Sequence, residues 1–145
     1  EGSTSKSYIR FYTKKIKDFI YYNKIIKNGW NKNESFLFEL IVYPPHNKFS
    51  FKTVISPSDP NYDSEKLQNI LLEIDGSKKG IGKKWIVNFS INSKVDFEDV
   101  YNLSDDEIRN IINNFLDKIS KIVEKVENKF LEHKNELLEM NNNIK

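Results

Sequence analysis

From Ser104 to Lys145 the chain contains neither glycine nor proline, and its apolar residues return at helical spacing. Ile108, Ile112, Phe115, Ile119, Ile122 and Val126 fall three, four or seven apart, on one stripe of an α-helix. Ser104-Asp105-Asp106-Glu107 supplies the start. The Ser104 hydroxyl can accept the Glu107 amide while the Glu107 carboxylate reaches back to the Ser104 amide, a capping box. A helix of roughly 35 residues at about 1.5 Å each is about 50 Å long. The remaining ~100 residues make a body with a radius of gyration of about 13 Å, so the helix outruns what it packs on. Up to Val126, Ile111, Leu116 and Val123 widen the stripe and suit it to a sheet. Beyond Val126 it narrows to Phe130, Leu131, Leu137 and Leu138 among charges. This seam is expected to project and to meet a partner helix or a second copy.

Upstream, Ser7 to Lys27 carries Ile9, Tyr12, Ile16, Phe19 and Ile26 at helical spacing. Ile9 and Phe11 also permit a short strand before a helix capped by Thr13, but helix is preferred for most of the segment. Asn28-Gly29 then ends it in the left-handed region. Phe36–Tyr43 is a nearly continuous apolar run holding Glu39, which is expected to pair with a lysine. After Pro44-Pro45, Phe49, Phe51, Thr53 and Ile55 alternate, so the two runs form an antiparallel hairpin across Pro44–Asn47. Ser56-Pro57-Ser58-Asp59-Pro60 interrupts the chain. Asp63 or Ser64 caps a second helix through Leu67, Ile70, Leu71 and Ile74, ended by Gly76. Trp85, Val87, Phe89 and Ile91 alternate on a third strand. The order helix, strand, strand, helix, strand, helix predicts an α+β fold, a small and mainly antiparallel sheet of about three strands packed against helices, with a long C-terminal helix. Residues 1–6 read as a cloning scar, 7–140 as a single domain and 141–145 as a polar tail.

The net charge of +2 conceals a segregation. Residues 1–35 hold eight basic and three acidic groups, and residues 36–75 hold three and six. Residues 76–94 hold five basic groups and no acid, whereas residues 95–145 hold seven basic and twelve acidic groups. Banding of this kind steers a polyanion toward one face. Gly76-Ser77-Lys78-Lys79-Gly80-Ile81-Gly82-Lys83-Lys84-Trp85 is the strongest nucleic-acid candidate: glycines admit a phosphate to backbone amides, Lys78, Lys79, Lys83 and Lys84 supply charge, and Trp85 offers a stacking face. It is not a nucleotide-binding P-loop, because it runs from helix into strand and no Ser or Thr follows Lys83. Lys14, Lys15 and Lys17 on the first helix are expected to track a backbone beside it. The plainer account is that both segments are solvated surface. Likewise Trp30 and Trp85 are expected to pack under the sheet, because aromatic side chains bury the largest areas.

Catalytic constellations are poor. There is no cysteine, hence no disulfide, thiolate metal site or cysteine nucleophile, and a reducing cytoplasm fits. His46 and His133 belong to no ligand set and read as surface residues. Asp96, Glu98, Asp99, Asp105, Asp106 and Glu107 lack the spacing of a calcium loop and suit the positive end of the last helix. A metal-dependent nuclease needs an acid-x-Lys on a strand, and the third strand has none. No cofactor is implied, and no apolar run is long enough to span a bilayer.

Ile9-Arg10-Phe11-Tyr12-Thr13, Gly29-Trp30-Asn31, the aromatic strand Phe36–Ile41, Ser56-Pro57, Trp85 and Leu103-Ser104-Asp105-Asp106-Glu107-Ile108 occur in that order. In this they resemble the C-terminal region that follows the catalytic domain in some bacterial PD-(D/E)XK nuclease-superfamily proteins. The resemblance covers most of residues 7–138. It implies a non-catalytic accessory domain of a restriction- or defence-type protein that touches nucleic acid or mediates assembly. The nuclease residues of that superfamily have no counterpart here. Two roles follow: nucleic-acid contact through the basic segments, or protein interaction and self-association through the C-terminal helix.

Overall fold

Phe36, Phe38 and Leu40 leave one face of their strand and Leu37, Glu39 and Ile41 leave the other, and both sets are largely covered. The computed structural model describes residues 7–24, 27–43, 48–80, 84–94 and 102–142. Strands β1 (Ser7–Phe11), β2 (Phe36–Tyr43), β3 (Lys48–Ile55) and β4 (Ile86–Lys94) form one sheet in that spatial order. Every neighbouring pair is antiparallel. Helices α1 (Ser64–Leu72), α2 (Asp105–Glu132) and α3 (Lys134–Asn142) complete an α+β fold with a long C-terminal helix. The expected hairpin is present, with Phe36 opposite Ile55 and Tyr43 opposite Lys48. Its connection, Pro44–Asn47 with His46, lies outside the described residues.

The sheet has four strands where about three are expected, because the amino-terminal segment is not mainly a helix. Ser7–Phe11 is an edge strand pairing Phe11 with Phe38 and Ile9 with Leu40. One turn of 3-10 helix, Lys17–Phe19, then drops Ile16 and Ile20 into the core. Apolar residues at 9, 12, 16 and 19 satisfy a helical period, yet pairing with β2 offers five residues a ladder that an isolated turn lacks. Gly29 does adopt the left-handed conformation (φ +83°), although among the described residues no α-helix leads into it.

The core lies between one face of the sheet and the helices. Phe36 packs against Phe130 with ring centroids 5.1 Å apart, and Phe38 sits between Phe11 at 5.4 Å and Phe51 at 5.8 Å. Asp63 caps α1 by accepting the Glu65 amide. At β4 the register shifts between Lys52 and Val54, and the buried Thr53 hydroxyl accepts the Phe89 amide at 3.1 Å in place of a ladder bond.

Helix α2 begins with the expected capping box. Ser104 Oγ accepts the Glu107 amide at 3.3 Å and the Glu107 carboxylate accepts the Ser104 amide at 2.8 Å. Its course differs from expectation in two ways. The helix breaks at His133 after 28 residues, about 42 Å at 1.5 Å per residue. Val126, the expected boundary of the packed half, is fully buried at the centre of the contact, and Phe130 is 1% exposed. The uncovered end is therefore the amino-terminal one, where Ile112 and Leu116 are each 47% exposed. They border an apolar groove of about 160 Å³ closed on the sheet side by Leu40, Val42 and Phe49.

An ionic cluster brackets the break. His133 Nε2 lies 3.0 Å from Glu73 at the end of α1, and Nδ1 lies 3.0 Å from Glu136 on α3. Lys129 on α2 reaches both Glu73 and Glu132, and Lys66 on α1 reaches Glu136 at 3.4 Å. Carboxylates on both ring nitrogens favour the doubly protonated imidazolium. The Glu136 hydrogen bond, then that of Glu73, raises the His133 pKa above its ordinary 6.5. Glu73 and Glu136 are held below the usual carboxylate range, in each case chiefly by the His133 hydrogen bond.

A raised histidine pKa stabilises the fold fully below the unfolded value and loses that contribution as pH rises through the folded value. The paired carboxylates act oppositely and weaken as pH falls below their unfolded values. The His133 contribution to the melting temperature is therefore expected to be complete in mildly acid solution and to fall as pH rises above the ordinary histidine value of 6.5. His133→Gln should flatten that slope, and an equal slope in the variant would assign it elsewhere. Phe130→Ala should cost about 3–5 kcal/mol in urea denaturation, whereas Leu131→Ala, one residue along and 43% exposed, should stay within about 0.5 kcal/mol.

Candidate functional site

Helices cover one face of the sheet, so the other must manage its apolar residues alone. It does so with a second cluster, in which Trp30, Leu37 and Val54 are buried and Tyr12, Trp85 and Val87 pack around them. Both tryptophans pack on the sheet, as expected, and they do so on this open face, opposite the helices. Their ring centroids are 4.7 Å apart at an interplanar angle of 37°.

The turn that carries Trp30 is tightly held. The Trp30 amide donates to Asn28 Oδ1 at 3.0 Å, and Asn28 Nδ2 donates to the Glu34 carbonyl at 2.7 Å. Gly29 and Asn33 supply the two left-handed residues the turn requires (φ +83° and +54°). Trp85 arrives from the opposite side, immediately before β4. Between them, Arg10, Glu39, Lys52 and Ser90 form one row across the four strands. Glu39 is engaged by Arg10 rather than by a lysine, with Nε donating to Oε1 at 3.1 Å, and Lys52 is its neighbour in register. The Arg10 guanidinium lies over the Tyr8 ring, 4.7 Å from its centroid. A half-exposed pair of this kind adds little stability, about 0–1 kcal/mol, but it fixes the direction of the arginine.

These residues enclose a cleft of about 370 Å³ bounded by Tyr8, Arg10, Trp30, Lys52, Trp85 and Val87. A second hollow of about 280 Å³ shares Tyr8, Arg10 and Trp30 and continues toward Tyr12 and Asn31. Together they offer aromatic faces, two cations and two engaged carboxylates, Glu39 held by Arg10 and Glu34 accepting the Lys32 amide, within the size range of small-ligand sites. A larger depression of about 470 Å³ over Ser58–Asp63 is less promising. Its buried carboxylate, Asp59, already accepts the Tyr21 hydroxyl and the Asn61 amide.

The described basic residues singled out in the sequence lie on two segments, 14–17 and 78–84. Lys14, Lys15 and Lys17 are exposed, but on a segment whose Ile16 and Ile20 enter the helical side. Lys15 donates to Glu127 at 2.9 Å, a hydrogen bond that raises the lysine pKa. At Glu127 burial favours the neutral acid, yet the nearby Thr13 hydroxyl and the Lys15 ammonium outweigh it and hold the carboxyl below its usual range. Lys78 and Lys79 are exposed beside β4, and Lys84 is exposed next to Trp85, which borders the cleft. Lys83 lies outside the described residues. Gly80 of this loop serves packing. Lys78 exchanges bonds with Asn88 at 2.9 and 3.1 Å, and a Cβ on Gly80 would fall 2.6 Å from Ile86 Cγ2 and 3.0 Å from the Val87 amide.

The expected interaction seam is divided as well. Phe130 and Leu137 are buried in the chain's own core, Leu138 is half-buried and Leu131 is exposed. Among the acidic residues, Asp105, Asp106 and Glu107 occupy the first turn of α2, while Asp96, Glu98 and Asp99 lie outside the described residues. No group of three metal-capable side chains occurs among the described residues, and no helix there is long and apolar enough to cross a membrane.

Sequence reading passed over Tyr8, Arg10, Trp30 and Lys52 as site residues. The signal that pointed to them was Glu39 inside an apolar run, which marks a face that needs a cation partner. The chain matches no protein-family profile, no curated protein and no solved structure. Gly80→Ala is expected to lower the urea midpoint by an amount equivalent to about 1–3 kcal/mol, the usual cost of overpacking. An unchanged midpoint would show that the loop yields freely.

Proposed function

We propose that this domain is a non-catalytic module that holds single-stranded nucleic acid on its open sheet face. The observation that carries this reading is the Trp30–Trp85 cleft, bordered by Arg10 and Lys52. Unstacked bases present π-faces that aromatic side chains accept without regard to sequence, and nearby cations meet the phosphates. A duplex keeps its bases stacked and offers such a platform little. The reading also draws support from the segments that carry the likeness to nuclease-accessory regions. Ile9–Thr13, Gly29-Trp30-Asn31 and Trp85 all contribute residues to the paired hollows. Relative to the basic segments named from the sequence, the site moves from the loop lysines to the sheet, and Trp85 with Lys84 is the part they share.

Trp30 and Trp85 are the chain's only tryptophans, so intrinsic emission reports on the cleft. Titration with oligothymidylate or oligouridylate at low salt should quench it, and a duplex of equal length should quench it far less. Lys52→Gln should weaken binding and lower the salt slope by about 0.7 for each phosphate that the lysine neutralises. Trp85→Ala, followed by anisotropy of a labelled strand, should cost about 1–3 kcal/mol per stacked base, roughly fivefold to a hundredfold or more in affinity. Absence of quenching at low salt with either oligomer would sink the proposal.

A further inference from the structure

Strand β1 is an edge, and no described strand pairs with its outer side. Ser7-Tyr8-Ile9-Arg10-Phe11 carries no lysine or proline, the residues that usually discourage edge-to-edge pairing. Ile9 at 56% is the most exposed large apolar side chain among the described residues, and Tyr8 is 45% exposed. Five residues in this order are also self-complementary. An antiparallel pairing centred on Ile9 sets Ile9 against its own copy, Ser7 against Phe11 and Tyr8 against Arg10.

We propose that a second copy of this chain adds to the outer edge of β1, with a two-fold axis through Ile9, to make one continuous eight-stranded sheet. The chemistry of the pairs supports this occupant over an unrelated strand. Arg10 already lies over Tyr8 within its own chain, and across the axis the same guanidinium meets a second tyrosine, an arrangement that cation–π attraction favours. Positive charge does not accumulate, because each Arg10 carries Glu39. Residues directly opposite share a face, so the two-fold axis stands perpendicular to the sheet and the two open faces become one. The interface is isologous, as closed two-fold dimers require. Tyr8 and Arg10 of each copy then stand at the centre of a surface joining both clefts. The association does not depend on nucleic-acid binding and is tested without it.

Because the chain lacks cysteine, single cysteines probe the interface cleanly. Opposite Cβ atoms in such a pair are about 4.5–5.5 Å apart, close enough to disulfide geometry that small adjustments suffice. Sedimentation velocity of the full chain should show concentration-dependent formation of a species of twice 17.2 kDa. Ile9→Lys should abolish it with unchanged circular dichroism. Under mild oxidation Ile9→Cys should give a covalent dimer, while Ile112→Cys, at the apolar groove of α2, should not. A chain that stays monomeric at every concentration overturns the proposal. So does a dimer that survives Ile9→Lys, or cross-linking at position 112 in place of position 9.

Discussion

Strand β2 is hydrogen-bonded along both edges and covered on both faces, and the rest of the molecule is arranged around that double commitment. Phe36 meets the helical layer through Phe130 and Phe38 packs between Phe11 and Phe51 of the neighbouring strands, while Leu37 anchors the tryptophan cluster on the other side. A slip of one residue would exchange the two sets. Glu39 would then enter a phenylalanine core without Arg10, and an unpaired buried carboxylate costs far more than any contact the slip could gain. Glu39 thus adds a charge constraint to the register that the two packed apolar sets already favour.

Local signals were readable where the interactions that set them are local. The capping box at Ser104, the Asp63 cap and the hairpin between Phe36 and Ile55 all close within a few residues of their cause. Strand β1 was hidden because a five-residue strand is too short to separate period two from period 3.6, and the ladder that selects it is offered by residues 38–42. The break at His133 was hidden because its partner Glu73 is sixty positions away. The site was legible only in pieces. Trp85 stood out, but nothing in the sequence places Trp30 4.7 Å from it, or Arg10 in the row of Lys52.

Charge behaves similarly. The sequence is banded, yet part of the banding is consumed inside the fold, where Lys15 is held by Glu127 and Lys129 by Glu73 and Glu132. Ion pairs of this sort tie the first segment and α1 to the last long helix. What remains for a ligand is a smaller and more localised set, Arg10 and Lys52 beside aromatic rings on a face whose two carboxylates, Glu39 and Glu34, are already engaged.

The order of the strands carries one more consequence. Only residues 44–47 separate β2 from β3, whereas residues 12–35 separate β1 from β2 and residues 56–85 separate β3 from β4. Loop-closure entropy therefore favours the central hairpin as the first part of the sheet to form. Arg10 and Trp30 arrive with one late edge and Trp85 with the other. The cleft is a product of complete assembly: a chain that has lost either edge keeps three of its four strands but has no complete cleft.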